Sequence, residues 1–128
     1  PRWLLAHRIA VQGWRTDLAE LQLRRLNPRN FDIVVTQWAD AAVAAVRAFS
    51  GAGHVAPPVV TLEYTAAVRA ELLSGRVAWT TFHDIEQEGR EVVALAIDAL
   101  AGDVKRPFRK LRQFEIDATA ARAREAQW

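Results

Sequence analysis

The stretch Gly75–Gly102 constrains the fold more than any other part of the chain, because it joins a short strand to a long helix through a polar junction. Ala78 to Phe82 is rich in aromatic and β-branched residues and reads as a strand. His83 and Asp84 interrupt it, and Asp84 with Gln87 three residues on has the form of a capping box. Ile85, Gly89, Val92, Val93, Ala96, Ile97 and Leu100 then recur at helical spacing, so one broad face of that helix is expected to be buried. Gly102 supplies the left-handed stop.

The same alternation runs through the rest of the sequence and predicts an α/β fold with a mostly parallel sheet. A first strand is expected near Arg8 to Gln12, ended by Gly13. Thr16 or Asp17 caps a helix through about Leu26, stopped by Asn27-Pro28. Phe31 to Thr36 is a short apolar run of the kind found mid-sheet with both faces covered. A helix from Asp40 to Phe49 ends at Ser50-Gly51-Ala52-Gly53, and Pro57-Pro58 leads into a strand from Val59 to Glu63. Thr65 caps a helix through Leu73 that ends at Gly75. Beyond Gly102 a basic linker, Asp103 to Lys110, precedes a strand at Leu111 to Ile116 and a last helix from Thr119.

A chain of 128 residues that is 51% apolar can bury one core, and its length does not ask for two domains. Without cysteine there is no disulfide, no thiolate metal site and no thiol nucleophile. The net charge of +2 is too small to suggest a nucleic-acid surface. No apolar run approaches the roughly 18 residues of a membrane span. Because the chain begins at Pro1 and contains no methionine, it is expected to be a fragment or a processed product.

No catalytic motif emerges: there is no Gly-x-Ser-x-Gly elbow, no Walker loop, and no Gly-x-Gly-x-x-Gly after a strand. Asp32, Asp40 and Glu63 do not form the acidic pocket of a phosphorylation receiver, which needs adjacent acids and a late lysine. His7 and His54 lack partners at metal-ligand spacing, so no zinc site is expected. Neither enzyme activity nor a cofactor is expected. The polar and aromatic residues at strand ends remain as binding candidates: His83, Glu63, Trp38, and Trp14 with Arg15. Asp84 reads as a helix cap and Trp79 as core.

Three segments resemble type I periplasmic binding proteins, in particular the sugar-binding components of ABC transporters related to ribose-binding protein. Phe31 to Ala45, FDIVVTQWADAAVAA, is similar to that family's strand ending in Gln-Asn-Asp and the helix after it. Pro58 to Thr65, PVVTLEYT, is similar to its PVVGFDGT turn, and Leu72 to Gly89, LLSGRVAWTTFHDIEQEG, to its Gly, Ala-Thr-Val-Ala-Gln-Asp and Gly stretch. The resemblance implies an incomplete three-layer α-β-α lobe of the periplasmic-binding-protein-like I fold, spanning residues 1–128, that binds a sugar or related polyol in a cleft between two lobes. It places Glu63 on an acidic ligand contact and His83 on a hinge glutamine that also touches ligand. Trp38 and Ala39 fall on the family's Asn-Asp pair, where a tryptophan either stacks on a pyranose face or plugs the site. Thr61 and Tyr64 replace glycines, and the bulkier turn is expected to narrow the cleft.

In the family the helix matching 84–101 packs on the N-terminal lobe, so its apolar face is expected to meet that missing lobe or a second copy. The resemblance further implies an ABC-transporter permease as partner, a periplasmic location and no nucleic-acid contact by this segment. The alternative is the effector-binding core of a cytoplasmic LacI-type regulator. Gly75–Thr81 is closer to the transporters' Gly-x-Ala-x-Thr than to the repressors' Pro-Pro-Leu-Thr-Thr.

Overall fold

A computed structural model describes residues 4–50, 56–103 and 111–126. Its elements run in the order α1 (Thr16–Leu23), β1 (Val34–Val35), α2 (Ala39–Ser50), β2 (Val59–Val60), α3 (Ala66–Leu73), β3 (Val77–His83), α4 (Ile85–Leu100), β4 (Gln113–Ile116) and α5 (Ala118–Ala123). The sheet has the order β1-β2-β3-β4. β1 and β2 are parallel, with Val34 opposite Val59, and β2 and β3 are parallel, with Val59 opposite Val77. The register then slips by one residue, so that Val60 faces Trp79. The fold is three-layer α-β-α with a mostly parallel sheet, as the alternating pattern and the resemblance imply.

The chain divides into two compact units, Pro1–Thr81 with Glu115–Trp128, and Phe82–Phe114. In the larger unit the parallel pairs β1-β2 and β2-β3 require crossovers, which α2 and α3 provide. Strands in sequential order joined by right-handed crossovers put both helices on one face of the sheet, where they touch each other. α1 also packs on α2, and α5 on α3. α2 is therefore covered from several directions, and Ala39, Ala41, Ala42, Ala44, Ala45, Val46, Ala48 and Phe49 are all buried. That matches its sequence, which is apolar nearly all round and small enough for close approach. Phe49, Leu72, Val68, Val59, Val77 and Ile116 fill the space between helices and sheet.

Local signals hold where the interaction is local. Thr65 Oγ1 accepts from Val68 N at 3.3 Å and caps α3. Gly75 and Gly102, at φ 77° and 73°, end α3 and α4 in the left-handed conformation that glycine adopts without penalty.

Several expectations need correction. Residues 8–11 form no strand; Val11 is extended, and the chain gives way to a 3-10 turn at Gln12–Trp14, in which Gly13 has φ 66°. Helix α1 ends at Leu23 rather than Leu26, and neither Thr16 nor Asp17 caps it, because Arg15 occupies the cap position. The run Phe31 to Thr36 contributes only Val34–Val35 to the sheet. That strand is an edge, not a centre, and Val35 is 68% exposed. Trp79, expected in the core, is half-buried. The last helix starts at Ala118, capped by Asp117, whose carboxylate accepts from Ala120 N at 2.8 Å. Gly51, Ala52, Gly53 and His54, and most of the basic linker through Lys110, lie outside the described residues.

In the smaller unit Asp84 accepts from Gln87 N at 3.0 Å and caps α4 as expected. The face of α4 that is expected to meet a missing lobe or a second copy is uncovered among the described residues. None of its residues is buried, and Val92, Val93, Ile97 and Leu100 are exposed. The amphipathic pattern is present, but no described residue of this unit covers the apolar side.

Candidate functional site

At the carboxyl edge of a parallel sheet, loops leave the strands and helices begin, so polar side chains and free helix N–H groups converge there. In the larger unit that edge is built from the 36–38 segment after β1, the 61–65 segment after β2, and the start of α1. Glu63 sits at its centre. One of its carboxylate oxygens, Oε2, accepts from Ala39 N at 2.8 Å, which caps the first turn of α2 from 24 residues away. A negative group at a helix N-terminus also meets the favourable end of the helix dipole.

The Glu63 turn is pinned from the neighbouring strand. Thr80 Oγ1 donates to Glu63 O at 2.8 Å and Thr81 Oγ1 to Leu62 O at 2.5 Å. Thr61 N donates to Trp79 O at 3.1 Å. Thr36 Oγ1 donates to Val60 O at 3.3 Å and fixes the end of β1. Thr61 and Tyr64, expected to crowd the cleft, are instead buried in the protein. Tyr64 donates its hydroxyl to Arg124 O at 2.6 Å, and Arg69 Nε donates to Ala121 O and Arg124 O at 3.0 and 3.1 Å. Tyr64 therefore holds the end of α5 rather than filling the edge.

Beside Glu63 two tryptophans meet. Trp38 immediately precedes α2, and the ring of Trp14 stands edge-on to it, with centroids 5.1 Å apart and planes at 76°. This is a favourable geometry for an aromatic pair. Trp14 is 68% exposed, whereas Trp38 is half-buried. Among the described residues the Trp38 Nε1 and Thr61 Oγ1 atoms are buried without a hydrogen-bond partner.

Arg15 points its guanidinium at Asp17, with Nε donating to Oδ1 at 3.1 Å and the terminal nitrogen to Oδ2 at 2.5 Å. That pairing raises the Arg15 pKa and lowers that of Asp17, the side-chain hydrogen bond being the largest cause in each. Trp14, Trp38 and Glu63 are thus brought together, with Arg15 adjacent in the chain and bonded to Asp17.

His83 belongs to the smaller unit. It ends β3 with Nε2 3.4 Å from Glu88 Oε2 on the first turn of α4. Phe82 and Phe114 pack there at 6.0 Å, with the Arg112 guanidinium 4.6 Å from the Phe114 ring centroid.

Two shallow cavities lie away from the tryptophan pair. One of about 300 Å³ is lined by Ser50, Pro57, Pro58, Gly75 and Arg76 at the opposite edge of the sheet, and one of about 380 Å³ by Trp79, Glu115, Asp117 and Thr119. The tryptophan–glutamate edge is an open surface within its own unit. It presents an exposed aromatic ring beside a carboxylate. The Thr80 and Thr81 pins and the Glu63–Ala39 tie carry no sequence signature, since each depends on strand register.

No protein-family model matches the chain, and no curated protein matches it. Solved structures do. A carbohydrate transporter from Acidothermus cellulolyticus 11B in complex with myo-inositol is 22% identical, with a TM-score of 0.63 over 84% of this chain and 38% of that one. The XylFII-LytSN complex contains a chain 16% identical, with a TM-score of 0.65 over 80% of this chain and 37% of the other. A protein from Mycobacterium smegmatis is 20% identical, with a TM-score of 0.62 over 84% of this chain and 36% of that one. The chain therefore spans less than two fifths of the length of these matches. At such identities the likeness is one of fold, the three-layer α-β-α arrangement that the sequence pattern implies.

Proposed function

We propose that the chain is part of a solute-binding protein that holds a neutral sugar or polyol between two lobes and delivers it to an ABC-transporter permease outside the cytoplasm. The observation that carries this reading is the pairing of Trp14 with Trp38 beside Glu63 at the carboxyl edge of the sheet. An exposed indole face suits the apolar side of a sugar ring, and the second carboxylate oxygen of Glu63 suits its hydroxyls. The shared fold supports the same reading, since one chain with this fold was solved with myo-inositol bound. His83, which the resemblance places on a ligand-contacting hinge glutamine, offers a donor and an acceptor suited to a hydroxyl. No covalent step is involved.

The exposed apolar side of α4 is the surface on which the other lobe, or a second copy, packs. Such a face is too apolar to be left to water in the working protein. Calorimetric titration of the intact protein with myo-inositol, D-glucose and D-ribose tests the reading. Heat of binding with one of them, weakened by His83→Ala, is expected. Silence across the panel sinks it. An upstream signal peptide supports import, whereas an upstream helix-turn-helix selects the regulator instead.

A further inference from the structure

We propose that Thr80 is a positioning residue for the site, holding the Glu63 backbone so that one carboxylate oxygen ties down the start of α2 and the other is presented to the ligand. The assignment rests on the solute-binding reading above and gives a task to a side chain that touches no ligand itself. Strand β2 ends at Val60, before Glu63 is reached, whereas β3 runs on to His83. The stretch after Val60 is held from β3 by other means. Trp79 O accepts from Thr61 N at 3.1 Å, Thr81 Oγ1 donates to Leu62 O at 2.5 Å, and Thr80 Oγ1 donates to Glu63 O at 2.8 Å. The last of these acts on the residue whose carboxylate is used.

Thr80 is suited to that task. It is fully buried, so its bond is sheltered from water, and a β-branched side chain has little freedom about χ1. Its second contact, to Thr81 O at 3.4 Å, is the longer of the two. A glutamate side chain has several rotatable bonds, and ordering it costs entropy that a fixed main chain reduces. With Glu63 O held, the carboxylate reaches Ala39 N at 2.8 Å across 24 residues of sequence. That N–H is one of the donors a helix leaves unpaired at its start, and a charged acceptor makes the stronger bond there.

Two parts of the site depend on this one anchor. Glu63 Oε2 is committed to Ala39 N, which leaves Oε1 to accept from a ligand hydroxyl. Ala39 directly follows Trp38, so the same bond fixes the backbone that carries the Trp38 ring. Releasing Glu63 O therefore loosens carboxylate and indole together. Thr80, Glu63, Trp38 and Ala39 all belong to the larger unit, so the chain of contacts runs within it.

Thr80→Val keeps the shape and removes the hydroxyl, and Thr80→Ser restores a donor. In calorimetry of the intact protein with myo-inositol, D-glucose and D-ribose, whichever probe binds is expected to lose about fivefold in affinity in Thr80→Val, the worth of one hydrogen bond. Thr80→Ser is expected to bind it within about twofold of wild type. In the ligand-free protein the Ala39 amide ¹H–¹⁵N cross-peak is expected to move upfield in Thr80→Val and to stay in place in Thr80→Ser. Val46→Ala truncates a buried side chain at the far edge of the sheet, and is expected to lower stability while leaving affinity and cross-peak alone. Wild-type affinity or an unmoved cross-peak in Thr80→Val overturns this assignment while leaving the binding reading intact. So does equal weakening in Val46→Ala, or a failure of Thr80→Ser to rescue. No heat with any of the three probes from the wild type overturns both.

Discussion

Four buried threonines line the strand ends, and they form a built-in comparison. Thr36, Thr80 and Thr81 donate their hydroxyls to Val60 O, Glu63 O and Leu62 O, whereas Thr61 Oγ1, fully buried, has no partner among the described residues. Thr61→Val replaces an orphaned hydroxyl with a methyl group of nearly the same size. Removing an unpaired buried hydroxyl recovers about 1–3 kcal/mol of desolvation cost, and burying the extra methyl adds to it. Some of that gain is lost to imperfect packing, so the expected net stabilisation is about 1–2 kcal/mol. Thr80→Val removes a made bond and orphans a carbonyl, and is expected to cost about 1 kcal/mol. The two variants therefore differ in sign. Urea unfolding at pH 7 reads this directly, as midpoints on either side of wild type with an unchanged m-value. Loss of stability in Thr61→Val would show that its hydroxyl is paired, and the reasoning about this edge would fail.

Other outcomes follow from named contacts. Asp84→Ala removes the cap of α4 and is expected to cost about 1 kcal/mol, most of it restored by Asp84→Asn, as judged by thermal unfolding. Glu20, bonded to Arg24 and reached by Arg47 on α2, has its pKa lowered, chiefly by the Arg24 hydrogen bond. A depressed carboxylate contributes stability that is present above its unfolded pKa of about 4.3 and is lost as pH falls through the folded value. Glu20→Gln should therefore flatten the acid limb of a urea-midpoint-against-pH curve; an unaltered limb would exclude the pair as its source. Ile97→Glu on the exposed side of α4 should change the stability of this chain by less than about 0.5 kcal/mol, yet cost about 2 kcal/mol or more in the intact protein where the face is covered. Equally small effects in both would mean that no partner covers the helix.

Features set within a few residues were legible in the sequence. The Asp84 and Thr65 caps and the glycine stops at 75 and 102 are decided by local backbone geometry, and each stands where its residue type demands. Features set by strand order were not. Phe31 to Thr36 has the composition of a central strand, but only the topology makes it an edge with Val35 in the open. Residues 8–11 carry a strand-like pattern, but no neighbouring strand pairs with them. The candidate site shows the same division. Trp38 and Glu63 could be placed at strand ends by counting, whereas the tie from Glu63 to Ala39 spans 24 residues and exists only once β1 and β2 are in register. The meeting of Trp14 with Trp38 depends on the turn at Gly13, whose left-handed backbone has no signature beyond the glycine itself.

The central claim is that the Trp14–Trp38–Glu63 edge binds a neutral polyol. Its most direct test is a calorimetric titration of the intact protein and its Trp14→Ala variant with myo-inositol, D-glucose and D-ribose. Loss of a stacked aromatic is expected to weaken the bound probe by about tenfold or more while leaving the fold intact. Equal affinity in the two proteins would place the ligand elsewhere and contradict the account.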